Sequence, residues 1–247
     1  MRWAVGITAL VVALSALWPS IHSVDGLQTM LEAYPAALRD AFGLDQISTG
    51  AGYLDVELFS IVLPGLFSAF AISRGARLVA GDEESGALLP ELVVPRPRSH
   101  LLAAYACATC AEVVLLGVTV LGAVLGCSAV LAMGIPLGRV CAAASSVVVI
   151  GAAHGLLALA VGAATGRRAL AVGVAGAVAV AGYLLHVAGT LVTGVAPWGS
   201  WSPIHLVLAH PGLTQGWSAT WWWVAPFSVV ALVAGAWSFE RRDVHLT

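Results

Sequence analysis

The sequence predicts an all-α membrane protein with six transmembrane helices, and three observations carry that prediction. Of 247 residues, 60% are hydrophobic and only 10% charged, and the mean hydropathy is +0.93, more apolar than a soluble domain needs to fill its core. Apolar runs of about 20 residues recur, the length that carries a helix across a hydrocarbon core of about 30 Å. The runs are rich in Gly and Ala and do not alternate in polarity, so they read as helices and not as barrel strands.

Taken in order, the spans are expected at approximately 3–21, 53–73, 113–133, 139–165, 169–193 and 221–238. The first run ends at Trp18-Pro19, and Ser15-Ala16-Leu17-Trp18-Pro19 is a poor match to the small-residue pattern of a signal cleavage site, so it reads as a retained span. An outer loop, 22–52, follows, and its MLEAYPAALRDAF stretch fits a short amphipathic helix on the surface. The second span carries Asp55 and Glu57 at its outer edge and Pro64 in its middle, where the lost hydrogen bond is tolerable inside a bundle. The loop 74–100 is the one long polar stretch with many charges of both signs.

The apolar run from Leu101 to Met133 exceeds one crossing. It is expected to split into an inner interfacial turn, with Glu112 at headgroup level, and a crossing from Val113. Gly134 to Gly138 makes a turn, Arg167-Arg168 an inner hairpin link, and 194–220 an outer loop leading into Trp221-Trp222-Trp223, at the depth where tryptophans collect. Gly122/Gly126, Gly151/Gly155 and Gly162/Gly166 are small-residue pairs suited to close helix packing.

Charge gives the orientation. All eleven basic residues are arginine. Only Arg39 and Arg139 fall on the outer side of this layout, so the positive-inside bias places both termini and the loop 74–100 in the cytoplasm of a multi-pass protein of the plasma membrane.

Composition also excludes functions. Without a single lysine, the chain cannot build a phosphate-binding G-x-x-x-x-G-K-[ST] loop, so ATP-driven work would need a second polypeptide. A net charge of −2 argues against a nucleic-acid partner. Cys107 and Cys110 form a C-x-x-C with no second ligand pair, and all four cysteines lie in or beside apolar runs, where cysteine acts as a small hydrophobe. His205 and His210 are five apart with no carboxylate nearby, and no metal is assigned.

Four segments carry a resemblance: Gly75 to Leu88, with its GARLVAGDEESGAL; Pro95 and Arg98; Ala164-Thr165-Gly166-Arg167-Arg168; and the terminal Phe239-Glu240-Arg241-Arg242-Asp243. On these residues the chain resembles the permease subunits of type-2 ATP-binding-cassette exporters, particularly the actinobacterial group associated with polyketide-antibiotic efflux. The resemblance implies a coupling helix between spans 2 and 3, built from Arg77, Gly81, Asp82, Glu83, Glu84, Gly86, Leu88 and Leu89, that docks on a P-loop ATPase. It implies that the chain binds no cofactor itself, that ATP and Mg sit on the partner, and that a homodimer or heterodimer of permease halves encloses the path. Three departures stand out: Ser85 where the family often has a basic residue, Pro90 where the coupling helix would continue, and only Met1-Arg2 ahead of the first span.

Ser60, Pro64 and Ser68 on the second span and His186 and Thr190 on the fifth are the candidates for lining a pathway. An uncharged lining suggests hydrophobic or amphipathic cargo such as an antibiotic, drug or lipid. His154 and His186 are expected to bond to neighbouring helices. Two other classes compete. An intramembrane enzyme such as a membrane-embedded protease needs a serine or metal site with its base in reach; no H-E-x-x-H is present, and no serine pairs evidently with His154 or His186. An ion-driven transporter usually shows several midplane charges, which these spans lack apart from Glu112.

Overall fold

The structure, a computed structural model, describes residues 2–23, 33, 35, 38–39, 47–87, 97–192, 194–199 and 201–242. Six of its helices are long and apolar enough to cross a membrane: α1 Arg2–His22, α2 Gly50–Glu84, α3 Arg98–Val130, α4 Leu137–Thr165, α5 Arg168–Leu191 and, last in the chain, α8 Ala219–Arg241. Two short helices, α6 Pro203–Leu208 and α7 Gly212–Gln215, fold back between α5 and α8. No strand occurs among the described residues. The amphipathic stretch expected in 22–52 lies largely outside them, as do Leu88, Leu89 and Pro90.

α4 is the hub, packing against α2, α3, α5 and α8. Its small side chains explain why. A Cβ added at Gly75 of α2 would collide with the backbone carbonyl of Gly155 on α4, so these two helices touch backbone to backbone. Gly151 lies against Phe67, Gly155 against Ala71, and Gly235 of α8 against Ala160. Gly122 and Gly126 of α3, alike in sequence pattern, have no neighbouring atom within 4 Å of a built Cβ. The opposite faces are exposed and apolar, as with Val114, Leu115 and Val118 on α3 and Val229, Val230 and Val233 on α8. Such a surface suits lipid and marks a multi-pass membrane protein.

Successive long helices run in alternating directions, so their ends gather in two groups. One carries Arg2, Arg98, Arg168, Arg241 and Arg242 and is called here the arginine end; the other carries Trp201, Trp217, Trp221 and Trp222 and is called the tryptophan end.

Two details differ from expectation. α3 is uninterrupted over its 33 residues, roughly 50 Å at 1.5 Å per residue, with no inner turn ending at Glu112. The run contains no proline to break it. Instead of standing on a separate turn, Glu112 is in mid-helix, where Arg74 of α2 donates from Nε and Nη2 to its two carboxylate oxygens. α2, in contrast, is broken. Ile61 leaves helical geometry at φ −139° and ψ −44°, and a new helix starts at Val62. Pro64 accounts for the break, because its ring would press on the carbonyl of Ser60 and it has no N–H to offer. Ser60 Oγ donates to the carbonyl of Val56 at the same place.

Candidate functional site

At the arginine end, the four segments set apart in the sequence meet. α2 does not stop near residue 73; it continues through a π-helical turn, Arg77–Gly81, into Asp82–Glu84. The acidic residues are therefore the last turn of a long helix. Glu83 points inward, its side chain only 5% exposed, and Arg242 at the end of α8 donates to it from both terminal nitrogens, Nη1 at 2.8 Å from Oε1. A fork of this kind holds orientation as well as charge.

Glu84 accepts from the backbone N–H of Arg168 at 2.9 Å. That places a carboxylate on the first turn of α5, where unpaired N–H groups and the helix dipole favour it. Arg98, at the start of α3, donates from Nη1 to the carbonyls of Phe239 at 2.8 Å and Arg242 at 2.7 Å, closing the C-terminus of α8. Its guanidinium also lies 5.4 Å from the centre of the Phe239 ring. Gly166, with φ +65°, ends α4 against Glu83 and Arg242, and a Cβ there would strike both side chains. Only glycine combines that backbone conformation with that closeness.

Of the expected coupling residues, then, Glu83 and Glu84 are engaged within the chain. Gly81 lies against Arg77 and Arg168, Arg77 is exposed, and Gly86 follows the helix end with φ +74°. Arg98 and Arg242, which received no individual role from the sequence, are the cations that complete the cluster. The signal was present as opposite charges in segments already singled out, but nothing local in either says that they touch.

At the tryptophan end a cavity of about 240 Å³ is lined by Asp55, Ser60, Tyr183, His186, Thr190 and His210, among others. Asp55 is 6% exposed and accepts from the N–H groups of Thr214 at 2.9 Å and Leu213 at 3.3 Å, which pins α7 to α2. A second cavity, about 580 Å³ and mostly apolar, runs between α2 and α5 past Ile61, Pro64, Ser68, Val172, Val180 and Leu184. The five pathway candidates divide between these two spaces, and Tyr183 lines both.

Both intramembrane histidines have partners on neighbouring elements. His154, fully buried on α4, lies 3.1 Å through Nδ1 from Ser68 Oγ on α2. This is the serine that the sequence did not pair. The couple is incomplete as a nucleophile and base, because His154 Nε2 has no partner to orient the ring, and the helical backbone around it keeps its N–H groups for itself. His186 on α5 and His205 on α6 meet Nδ1 to Nδ1 at 3.0 Å. Among the described residues no group of three or more His, Cys, Asp or Glu is arranged to hold a metal ion.

The His186–His205 contact predicts a pH dependence. Two ring nitrogens share one hydrogen bond only if at least one is unprotonated. Burial first, and the neighbouring His210 second, hold His205 below the ordinary histidine value. The fold thus favours the neutral ring, so this stabilisation is present above the unfolded value of about 6.5 and declines as pH falls beneath it. Thermal unfolding in detergent should show a lower midpoint at pH 5.5 than at pH 7.5, and His205→Gln should flatten part of that slope.

No known family, no curated protein and no solved structure matches this chain.

Proposed function

We propose that this chain is the membrane-spanning permease subunit of an ATP-binding-cassette exporter, moving a hydrophobic or amphipathic substrate outward with ATP hydrolysed by a separate subunit. The observation that carries the reading is the convergence at the arginine end. The segments on which the resemblance rests, far apart in sequence, are bonded into one unit through Glu83, Glu84, Arg98, Arg168 and Arg242. Its orientation follows from the arginine bias, which puts this end in the cytoplasm, where a soluble ATPase works.

The bonding pattern sharpens how force would enter. With Glu83 turned inward and Glu84 bonded to the start of α5, the grip of the ATPase falls on the segment from Ser85 onward, of which Ser85 and Ala87 are exposed. Displacing that segment pulls on α8 through Glu83 and on α5 through Glu84, so several helices shift together. ATP then favours one arrangement of the bundle only through contacts that differ between the two states. Two permease halves would enclose the path.

The test is reconstitution with the ATPase that copurifies from native membranes. Added permease should raise ATP turnover, Ser85→Arg with Ala87→Arg should remove most of that rise without lowering the unfolding temperature, and a thiol placed at Ser85 in a background without the four native cysteines should be labelled only after permeabilisation. Labelling of that thiol in intact cells would sink the reading. The Ser68–His154 couple keeps an intramembrane hydrolase in view as the second reading; it requires that His154→Ala abolish a cleavage activity.

A further inference from the structure

We propose that the substrate is an amphiphile with an ammonium head and an apolar body, the ammonium held beside Asp55 and the body lying in the groove between α2 and α5. The inference rests on the permease reading and names the chemistry of what that permease carries.

Two spaces of opposite character adjoin. The smaller, at the tryptophan end, contains Asp55, and the larger is lined by Ile61, Val172, Val180 and Leu184. They share Tyr183, and the neighbours Ser60 and Ile61 line one each, so the break in α2 lies where they meet. The larger, about 580 Å³, falls within the size range of cavities that enclose drug-sized molecules, and the smaller, about 240 Å³, lies just below it.

Charge decides which end of a ligand goes where. Among the described residues no arginine is in ion-pair contact with Asp55: Arg139, on α4, donates to the carbonyl of Leu213 at 3.3 Å and acts on the carboxylate only from further off. The Asp55 carboxylate accepts two N–H groups from α7, and two carboxylate oxygens offer about four acceptor positions, so capacity remains for a donor with positive charge. Tyr183, between the spaces, presents an aromatic ring, a surface that attracts an ammonium. An anionic head would meet Asp55 with repulsion, and a neutral one would leave the buried carboxylate with only Arg139, beyond ion-pair contact, as countercharge.

From Tyr183 along α5 to Arg168, which lines the far end of the groove, the chain advances 15 residues, or roughly 22 Å. That leaves length for an extended apolar body. The chemistry fits either a cationic amphipathic compound or the ammonium of an ethanolamine lipid, and the experiment separates these sources.

Purified permease in phosphatidylcholine nanodiscs, with no ATPase present, is titrated with a fluorescent dodecylammonium, and with the matched alcohol and carboxylate. The expected order of affinity is ammonium first, alcohol next and carboxylate last. Asp55→Asn, which keeps an acceptor for α7, should weaken the ammonium about tenfold or more and leave the alcohol unchanged, while Gly176→Leu, which fills the groove, should weaken both. Equal affinity for ammonium and carboxylate in the unaltered protein overturns the proposal whether or not either variant folds. Loss of dodecylammonium binding when phosphatidylethanolamine is added assigns the site to lipid, and retention assigns it to a soluble amphiphile. Since no ATPase takes part, failure here leaves the permease reading standing, and failure to stimulate an ATPase leaves this site standing.

Discussion

Arg242→Ala should destabilise the purified protein by about 3–5 kcal/mol, the range measured when one partner of a buried ion pair is removed. The size of the effect comes from what stays behind. Glu83 keeps its place in the last turn of α2 with a side chain 5% exposed, against 18% for Arg242, and its charge would lose the two-pronged bond that offsets desolvation. Arg98 would remain bonded to backbone carbonyls of Phe239 and Arg242 and is not positioned to replace the lost fork. The double variant Glu83→Met, Arg242→Met should be milder than Arg242→Ala alone, because no orphan charge is created. Thermal and denaturant unfolding in one detergent measure all three proteins. An Arg242→Ala midpoint equal to that of the unaltered chain would mean that the pair contributes nothing.

Gly75→Ala should be nearly as damaging, although it adds a single methyl group. The atom it would strike is the backbone oxygen of Gly155, which no side-chain rotation can move aside, so α2 and α4 must separate along their main contact. Overpacking commonly destabilises by about 1–3 kcal/mol, and a backbone obstacle puts this site at the upper end. The control is Gly122→Ala, with open space around the added carbon; replacing glycine in a helix there should stabilise by up to about 1 kcal/mol. If the two substitutions shift unfolding alike, the close approach of α2 and α4 is wrong.

These two glycines mark how far the sequence could be read. Six long apolar helices were legible because hydropathy is a sum over neighbouring residues, and each span contains its own evidence. Which small residues face a partner was not, since Gly122/Gly126 and Gly151/Gly155 have the same spacing and only the second pair meets another helix. α3 shows the same limit. Length alone suggested a turn before Val113, but a helix with no breaker continues past the thickness of a bilayer when charged partners such as Arg74 meet its polar residue. Pro64 was visible as an irregularity, and its consequence, the break at Ser60 and Ile61, follows from local sterics.

The site was less legible than the fold. Glu83 and Arg242 are 159 residues apart, and Ser68 and His154 are 86 apart; pattern reading along a chain carries no information about such distances. The acidic run Asp82-Glu83-Glu84 was legible as the acidic middle of a long stretch with arginines at both ends, but not which other elements Glu83 and Glu84 reach. Glu83 meets the tip of α8 and Glu84 the start of α5. Asp55 was noticed as a charge at the edge of a span, yet its hold on α7 depends on a loop more than 150 residues downstream.

Gly166 has one more consequence. With the α4–α5 hairpin drawn tight there and cross-linked to α2 and α8, the helices are bound like the blades of a fan at its rivet. Any separation of α2 from α5 or α8 at that end must first undo the bonds of Glu84 to Arg168 and of Glu83 to Arg242.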